Sequence, residues 1–157
     1  MANSNDSQQN DPAVGFRYKL SISGKPNSEK AGFSEITGLS AELETESFTA
    51  GGENNLLYNL PKQVKTTPLV LKRGLFALDS PIMKWVKEIL NEGYPKKITP
   101  NDLTIQLMDE KNIAIVTWTI RHAFPTKWEV NGFNAMENKL LIESITFSYT
   151  NFEMKFN

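Results

Sequence analysis

The sequence predicts a mostly β domain with one α-helix, arranged as an antiparallel β-sandwich or barrel-like fold. Three observations carry this reading. Several runs alternate apolar and polar residues with a period of two, as half-buried strands do. One segment alone, 80–93, has apolar residues at helical spacing between a start and a stop signal. The strands lie before and after that helix, and short turns join them in antiparallel fashion.

At 157 residues the chain is long enough for one core, and the boundaries read as a flexible tail over 1–13 and a single domain over 14–157. Residues Met1–Pro12 are dominated by Asn, Ser, Gln and Asp, which bury too little apolar area to offset ordering entropy. From Phe16, the residues Phe16, Tyr18, Leu20 and Ile22 alternate with Arg17, Lys19, Ser21 and Ser23, and Gly24–Asn27 is turn chemistry. Ala31–Leu39 and Ser40–Phe48 read as two strands, or as one strand bent near Gly38. Within them Leu39, Ala41 and Leu43 share a face, and Glu42, Glu44 and Glu46 share the other. Three carboxylates at that spacing do not enter an apolar core, so they face water or meet cations across an interface.

The segment Ala50–Gln63 reads as a long loop, about 49–63, that is turn-rich yet carries large apolar side chains. It holds Gly51, Gly52, Glu53, Asn54, Leu56, Leu57, Tyr58 and Leu60. A loop of this length is usually functional, and an isolated domain leaves such side chains without cover. Two readings follow. Either the segment covers a surface on another copy, or it folds back over its own core as an Ω-loop. Val64–Arg73 then reads as a strand, with Pro68 marking an edge or bulge.

Ser80 or Asp79 can cap the helix, Pro81 suits its first position, and Gly93 is placed to stop it. Ile82, Trp85, Val86, Ile89 and Leu90 form its apolar face. Leu103, Ile105 and Leu107 mark the next strand, and Asp109–Asn112 turns into a run over Ile113–Phe124. Pro125 interrupts it before Lys127–Val130. The last expected strand is Lys139–Thr150, with Leu141, Ile145, Phe147 and Tyr149 on one face. Glu143 falls on that apolar face, so it needs a partner or a place at the sheet's margin.

Composition excludes more than it selects. There is no cysteine, so disulfide and thiolate chemistry are out, and the net charge of −1 gives no general pull toward nucleic acid. No apolar run reaches the roughly 20 residues of a membrane helix, and the N-terminus lacks the pattern of a secretory signal. His122 is the only histidine, and no nucleophile elbow, phosphate-binding loop or zinc spacing accompanies it. The expectation is therefore no enzyme, no cofactor and no metal. Trp85, Trp118 and Trp128 read as core or interface anchors. Lys62, Lys65, Lys72 and Arg73 lie on one side of the apolar loop and Glu42, Glu44, Glu46 and Glu53 on the other. Complementary patches on one molecule favour head-to-tail contacts, which close into rings or extend into filaments. Alternatively, these charges pair within the monomer at small gain.

The residues GFSEITGL at 32–39, Gly51–Asn54, the LP and VK pairs at 60–65 and Leu71–Gly74 resemble the inner tube proteins of contractile tails. Trp85, VTWTIRHAFPTKW at 116–128 and IESITFSY at 142–149 extend the resemblance in the family's order. That family includes tail tubes of T4-type phages and of phage-derived bacterial contractile injection systems. The resemblance implies hexameric rings stacked around a channel that inter-subunit β-sheet lines. It also implies that the 51–63 segment reaches a neighbouring subunit. Implied partners are copies of the chain, a sheath protein, baseplate, spike and terminator proteins, and an effector or DNA cargo. Such a protein is assembled in the bacterial cytoplasm and ends in a contractile particle or virion tail. The interface residues expected on this basis are Glu42, Glu44, Glu46, Gly51, Gly52, Glu53, Asn54, Leu56, Leu57, Tyr58, Leu60, Lys62, Lys72 and Arg73. The glutamates are alternatively channel-lining. Two other classes stay open: a carbohydrate-binding β-sandwich using exposed tryptophans, and an enzyme built on His122.

Overall fold

The computed structural model describes residues 17–23, 33–49, 51, 57–74, 80–92, 97–131 and 142–157. Among these residues, nine strands and one helix follow in the order β1 (Arg17–Ile22), β2 (Glu35–Thr37), β3 (Ala41–Thr49), β4 (Leu57–Thr66), β5 (Leu69–Gly74), α1 (Pro81–Glu92), β6 (Asn101–Met108), β7 (Ala114–Asn131), β8 (Ile142–Ser148) and β9 (Asn151–Phe156). All pairings are antiparallel. The mostly β, one-helix expectation is met.

Seven strands form one sheet in the order β1-β6-β7-β8-β5-β2, with β9 also paired to β7, while β3 and β4 form a separate two-stranded ribbon. Among the described residues the large sheet does not close into a barrel: β1 meets the residues before β2 at the isolated bridge between Tyr18 and Phe33. The 18-residue strand β7 is the common element of the sheet. Its residues Val116–Arg121 pair with β9, and its residues Phe124–Asn131 pair with β8. Between these stretches His122 takes a left-handed backbone, φ 51°, and the strand turns from one partner to the next. Pro125 does not interrupt β7 as expected. It pairs with Phe147 beside a register shift, the kind of position where a missing N–H is tolerated.

The core gathers alternate residues of these strands under the helix. Leu20, Ile22, Leu69, Leu71, Leu103, Ile105, Ile120, Ile145 and Phe147 are buried, as are Ile82, Met83, Trp85 and Val86 of α1. Ser80 caps α1 as anticipated: its Oγ accepts the Met83 N–H at 3.3 Å. Trp85 stacks on Phe147 with centroids 5.8 Å apart, which locks the helix to β8. The carboxylate expected to need a partner has two. Glu143 accepts from Arg73 Nε at 2.8 Å and from Trp128 Nε1 at 2.6 Å, tying β5, β8 and β7 together. Phe16, Gly24–Asn27, Gly93 and Leu141, named in the sequence reading, lie outside the described residues, as does the expected N-terminal tail.

Candidate interaction surface

The feature that one domain does not account for is the β3–β4 ribbon. Of the segment expected to be a loop over 49–63, Leu57–Gln63 belong instead to a regular strand paired with β3. The reading failed because both ribbon faces are exposed, so no hydrophobic alternation marks the strand. Pro61 sits next to a register shift between Leu43 and Thr45, which accommodates it within β4.

Register sorts the ribbon into two faces, because directly opposed residues project to the same side. One carries Glu42 opposite Lys65, Glu46 opposite Leu60, and Phe48 opposite Tyr58. The other carries Leu43 opposite Val64, Thr45 opposite Pro61, Ser47 opposite Asn59 and Thr49 opposite Leu57. Ser47 Oγ donates to Asn59 Oδ1 at 3.1 Å across the strands. Leu43, Phe48, Leu57, Tyr58, Leu60 and Val64 are all at least half exposed, from 51% for Leu43 to 68% for Leu57. A lone two-stranded ribbon is at best marginally stable in water. One with apolar groups on both faces needs cover from outside.

The predicted acidic and basic patches are not separate surfaces. Lys62 pairs with Glu46 at 3.0 Å, and Lys65 pairs with Glu44, so both lysines neutralise glutamates of their own hairpin. The hydrogen bond and charge of Glu44 raise the Lys65 pKa above its ordinary value. Such exposed pairs are worth about 0–1 kcal/mol. Lys72 is taken by Glu35 at 3.0 Å. Arg73 is buried, with its side chain 6% exposed and bound to Glu143, so it does not offer its charge to another molecule. Gly51 is exposed at the end of the ribbon, whereas Gly52, Glu53, Asn54 and Leu56 lie outside the described residues.

His122 is exposed, and its backbone N–H donates to Asp102 Oδ1 at 2.9 Å. Arg121 Nη1 binds the other oxygen of Asp102 at 2.8 Å. These two bonds, the His122 amide first, hold the Asp102 carboxyl below its usual range. The arrangement clamps the bend of β7. Among the described residues, no three His, Cys, Asp or Glu side chains are grouped to hold a metal ion. No helix among them is long and apolar enough to cross a membrane.

The architecture is thus one antiparallel sheet over a single helix, with a two-stranded ribbon whose apolar side chains are exposed. The family model of the T4-like virus tail tube protein gp19 matches residues 14–153, and the chain belongs to that family. A chain of the six-fold symmetrised anti-feeding prophage (AFP) baseplate is 31% identical, with a TM-score of 0.75 over 92% of this chain and 96% of that one. A chain of the sheath–tube complex of an extracellular contractile injection system, PVC, in its extended state matches over 100% of both chains at 22% identity and a TM-score of 0.75. Hcp1 from Flavobacterium johnsoniae shares the fold at 13% identity and a TM-score of 0.54, over 90% of this chain and 96% of its own. No curated protein sequence matches.

Proposed function

We propose that this chain is the inner tube subunit of a phage-tail-like contractile injection particle. Copies close into hexameric rings, and the rings stack into a hollow tube. A surrounding sheath contracts and drives the tube, headed by baseplate and spike proteins, through a target envelope so that effector cargo passes. A terminator protein ends the tube. Assembly takes place in the bacterial cytoplasm, and the chain itself performs no chemistry. The observation that carries this reading is the ribbon, whose two apolar-bearing faces find cover when a second copy packs on them. The 31% identity to an AFP baseplate chain favours an injection particle. A contractile phage tail conducting DNA is the second reading, which the T4-like family model supports.

The test removes apolar area without removing the ribbon. Leu43→Thr, Leu57→Thr and Val64→Thr together place β-branched residues, which favour strands, on one exposed face. The monomer should keep its circular dichroism spectrum and melt within a few degrees of the parent. Rings and tubes, counted by negative-stain microscopy, should be lost. Parent-like tubes from the triple variant would overturn the proposal. Nuclease-protected DNA inside purified particles would decide for the phage reading.

A further inference from the structure

The ribbon leaves the domain through two legs, which are tied to each other at one carbonyl that a tyrosine also holds. Residues Gly38–Ser40 lead from β2 into β3, and Thr67-Pro68 lead from β4 into β5. Tyr149 lies between β8 and β9, with its ring buried and set edge-on against Phe152 at 6.1 Å. Its hydroxyl donates to the Gly38 carbonyl at 2.9 Å and reaches the Ser40 carbonyl at 3.4 Å. Thr67 Oγ1 donates to the same Gly38 carbonyl at 2.9 Å. Because its one hydrogen is used there, the 2.8 Å contact between Ser40 and Thr67 hydroxyls has Ser40 as donor. The Gly38 carbonyl thus spends both lone pairs on this knot.

The two legs also touch through backbone. Gly38 has φ 91°, and a Cβ built on it would stand 1.8 Å from the Pro68 carbonyl oxygen. Only glycine allows that approach. Leu39 packs against the core and Leu69 lies within it, which anchors each leg on its domain side. Beyond the knot the ribbon is a two-stranded sheet of its own. The direction in which it leaves the domain is therefore set at its base.

The length of the ribbon makes that direction consequential. Nine residues of β3 span about 30 Å at about 3.3 Å per residue. A tilt of about 10° at the base moves the tip by about 5 Å, which is one whole strand spacing. An error of that size would place every apolar side chain of the ribbon against the wrong neighbour.

We propose that the Tyr149 hydroxyl is the positioning group of the ribbon, holding the Gly38–Ser40 leg, to which Thr67 ties the other, so that the β3–β4 hairpin meets a second copy of the chain in one register. Tyr149 touches no partner itself. It acts through Gly38 and Ser40, and reaches the second leg only by way of the Gly38 carbonyl that Thr67 shares. This inference rests on the reading that the ribbon contacts another copy.

The experiment uses the absence of cysteine in the sequence, which makes introduced cysteines unique labelling sites. Spin labels at Thr49→Cys and Glu110→Cys, in the full chain kept monomeric by dilution, report the distance from ribbon to domain by pulsed electron resonance. Tyr149→Phe removes the hydroxyl and keeps the ring. The parent should give one narrow distance. Tyr149→Phe should broaden or shift it, and should raise the protein concentration needed for assembly by about fivefold, the factor one net hydrogen bond is worth. If Tyr149→Phe fails to fold, Thr67→Val, which cuts the same knot at the surface, gives the same two readouts. An unchanged distance, or a broadened distance with parent-like assembly, overturns the proposal. The Leu43, Leu57 and Val64 triple variant separates the two ideas. If it assembles like the parent, the ribbon does not join copies. If it fails to assemble while Tyr149→Phe behaves as the parent, the contact stands and the positioning role falls.

Discussion

Replacing Arg73 with methionine should cost this domain about 3–5 kcal/mol, far more than an exposed arginine would. The magnitude follows from what is left behind. Arg73 and Glu143 side chains are 6% and 2% exposed, and the Nε–Oε2 contact is 2.8 Å. Methionine fills the volume and keeps a favourable sulfur contact with the ring of Phe33, over which the guanidinium now lies at 5.7 Å. It leaves Glu143 as a buried carboxylate without its cation. For a domain of this size each kcal/mol lowers the melting temperature by about 2–4 °C, so the loss should be roughly 6–20 °C. Thermal melts followed by circular dichroism at pH 7, on dilute unassembled protein, measure it. Adding Glu143→Leu should recover most of the loss, since apolar replacement of a whole buried pair is often neutral or stabilising. Recovery should be incomplete, because Trp128 Nε1 loses its acceptor at about 1–3 kcal/mol. A loss under about 1 kcal/mol for the single change, the scale of an exposed pair, would refute the reasoning. So would a double variant less stable than the single.

Two further outcomes concern the bend of β7. His122→Val should destabilise the domain, because a β-branched side chain tolerates the positive φ there less well than histidine does, whereas His122→Gly, which lifts the Cβ penalty, should melt at or above the parent and assemble. A His122→Gly variant that folds but does not assemble would reopen a chemical role for the imidazole. The depressed pKa of Asp102 means that its contribution is fully present above the ordinary carboxylate pKa of about 3.9 and is lost as pH falls through the lower folded value. Asp102→Asn should therefore flatten the fall in stability between about pH 4 and more acid conditions, measured by urea titration at each pH. An unchanged slope would count against the clamp.

What the sequence disclosed depended on whether a face was buried. The helix was legible because Ser80, Pro81 and the spacing of Ile82, Trp85 and Val86 are local signals of a one-sided environment. Met83, fully buried, was missed because the helix is covered more widely than one stripe. Glu143 announced its need for a partner by sitting on an apolar face, but no local rule points to Arg73, 70 residues away. β9 could have been found: Phe152, Met154 and Phe156 alternate with Glu153 and Lys155. The ribbon was illegible for a physical reason. With both faces open, its order is set by cross-strand pairs such as Glu46–Lys62 and Ser47–Asn59, which leave no period in the chain. Of the charges read as two opposed patches, Glu44, Glu46, Lys62 and Lys65 pair with one another within one hairpin.

The length of β7 has a mechanical consequence. Eighteen residues in one strand are about 60 Å of chain at about 3.3 Å per residue. Along that length β6, β9 and β8 are all laddered to it. Force applied along β7 loads these ladder bonds side by side, in shear, so that many must fail together. Force that peels an edge strand breaks them one after another. A subunit stacked in a rod that is pushed end-on therefore resists best when β7 lies along the direction of thrust. The bend at His122 keeps both stretches of that strand in one covalent tie, and the domain yields as a single body.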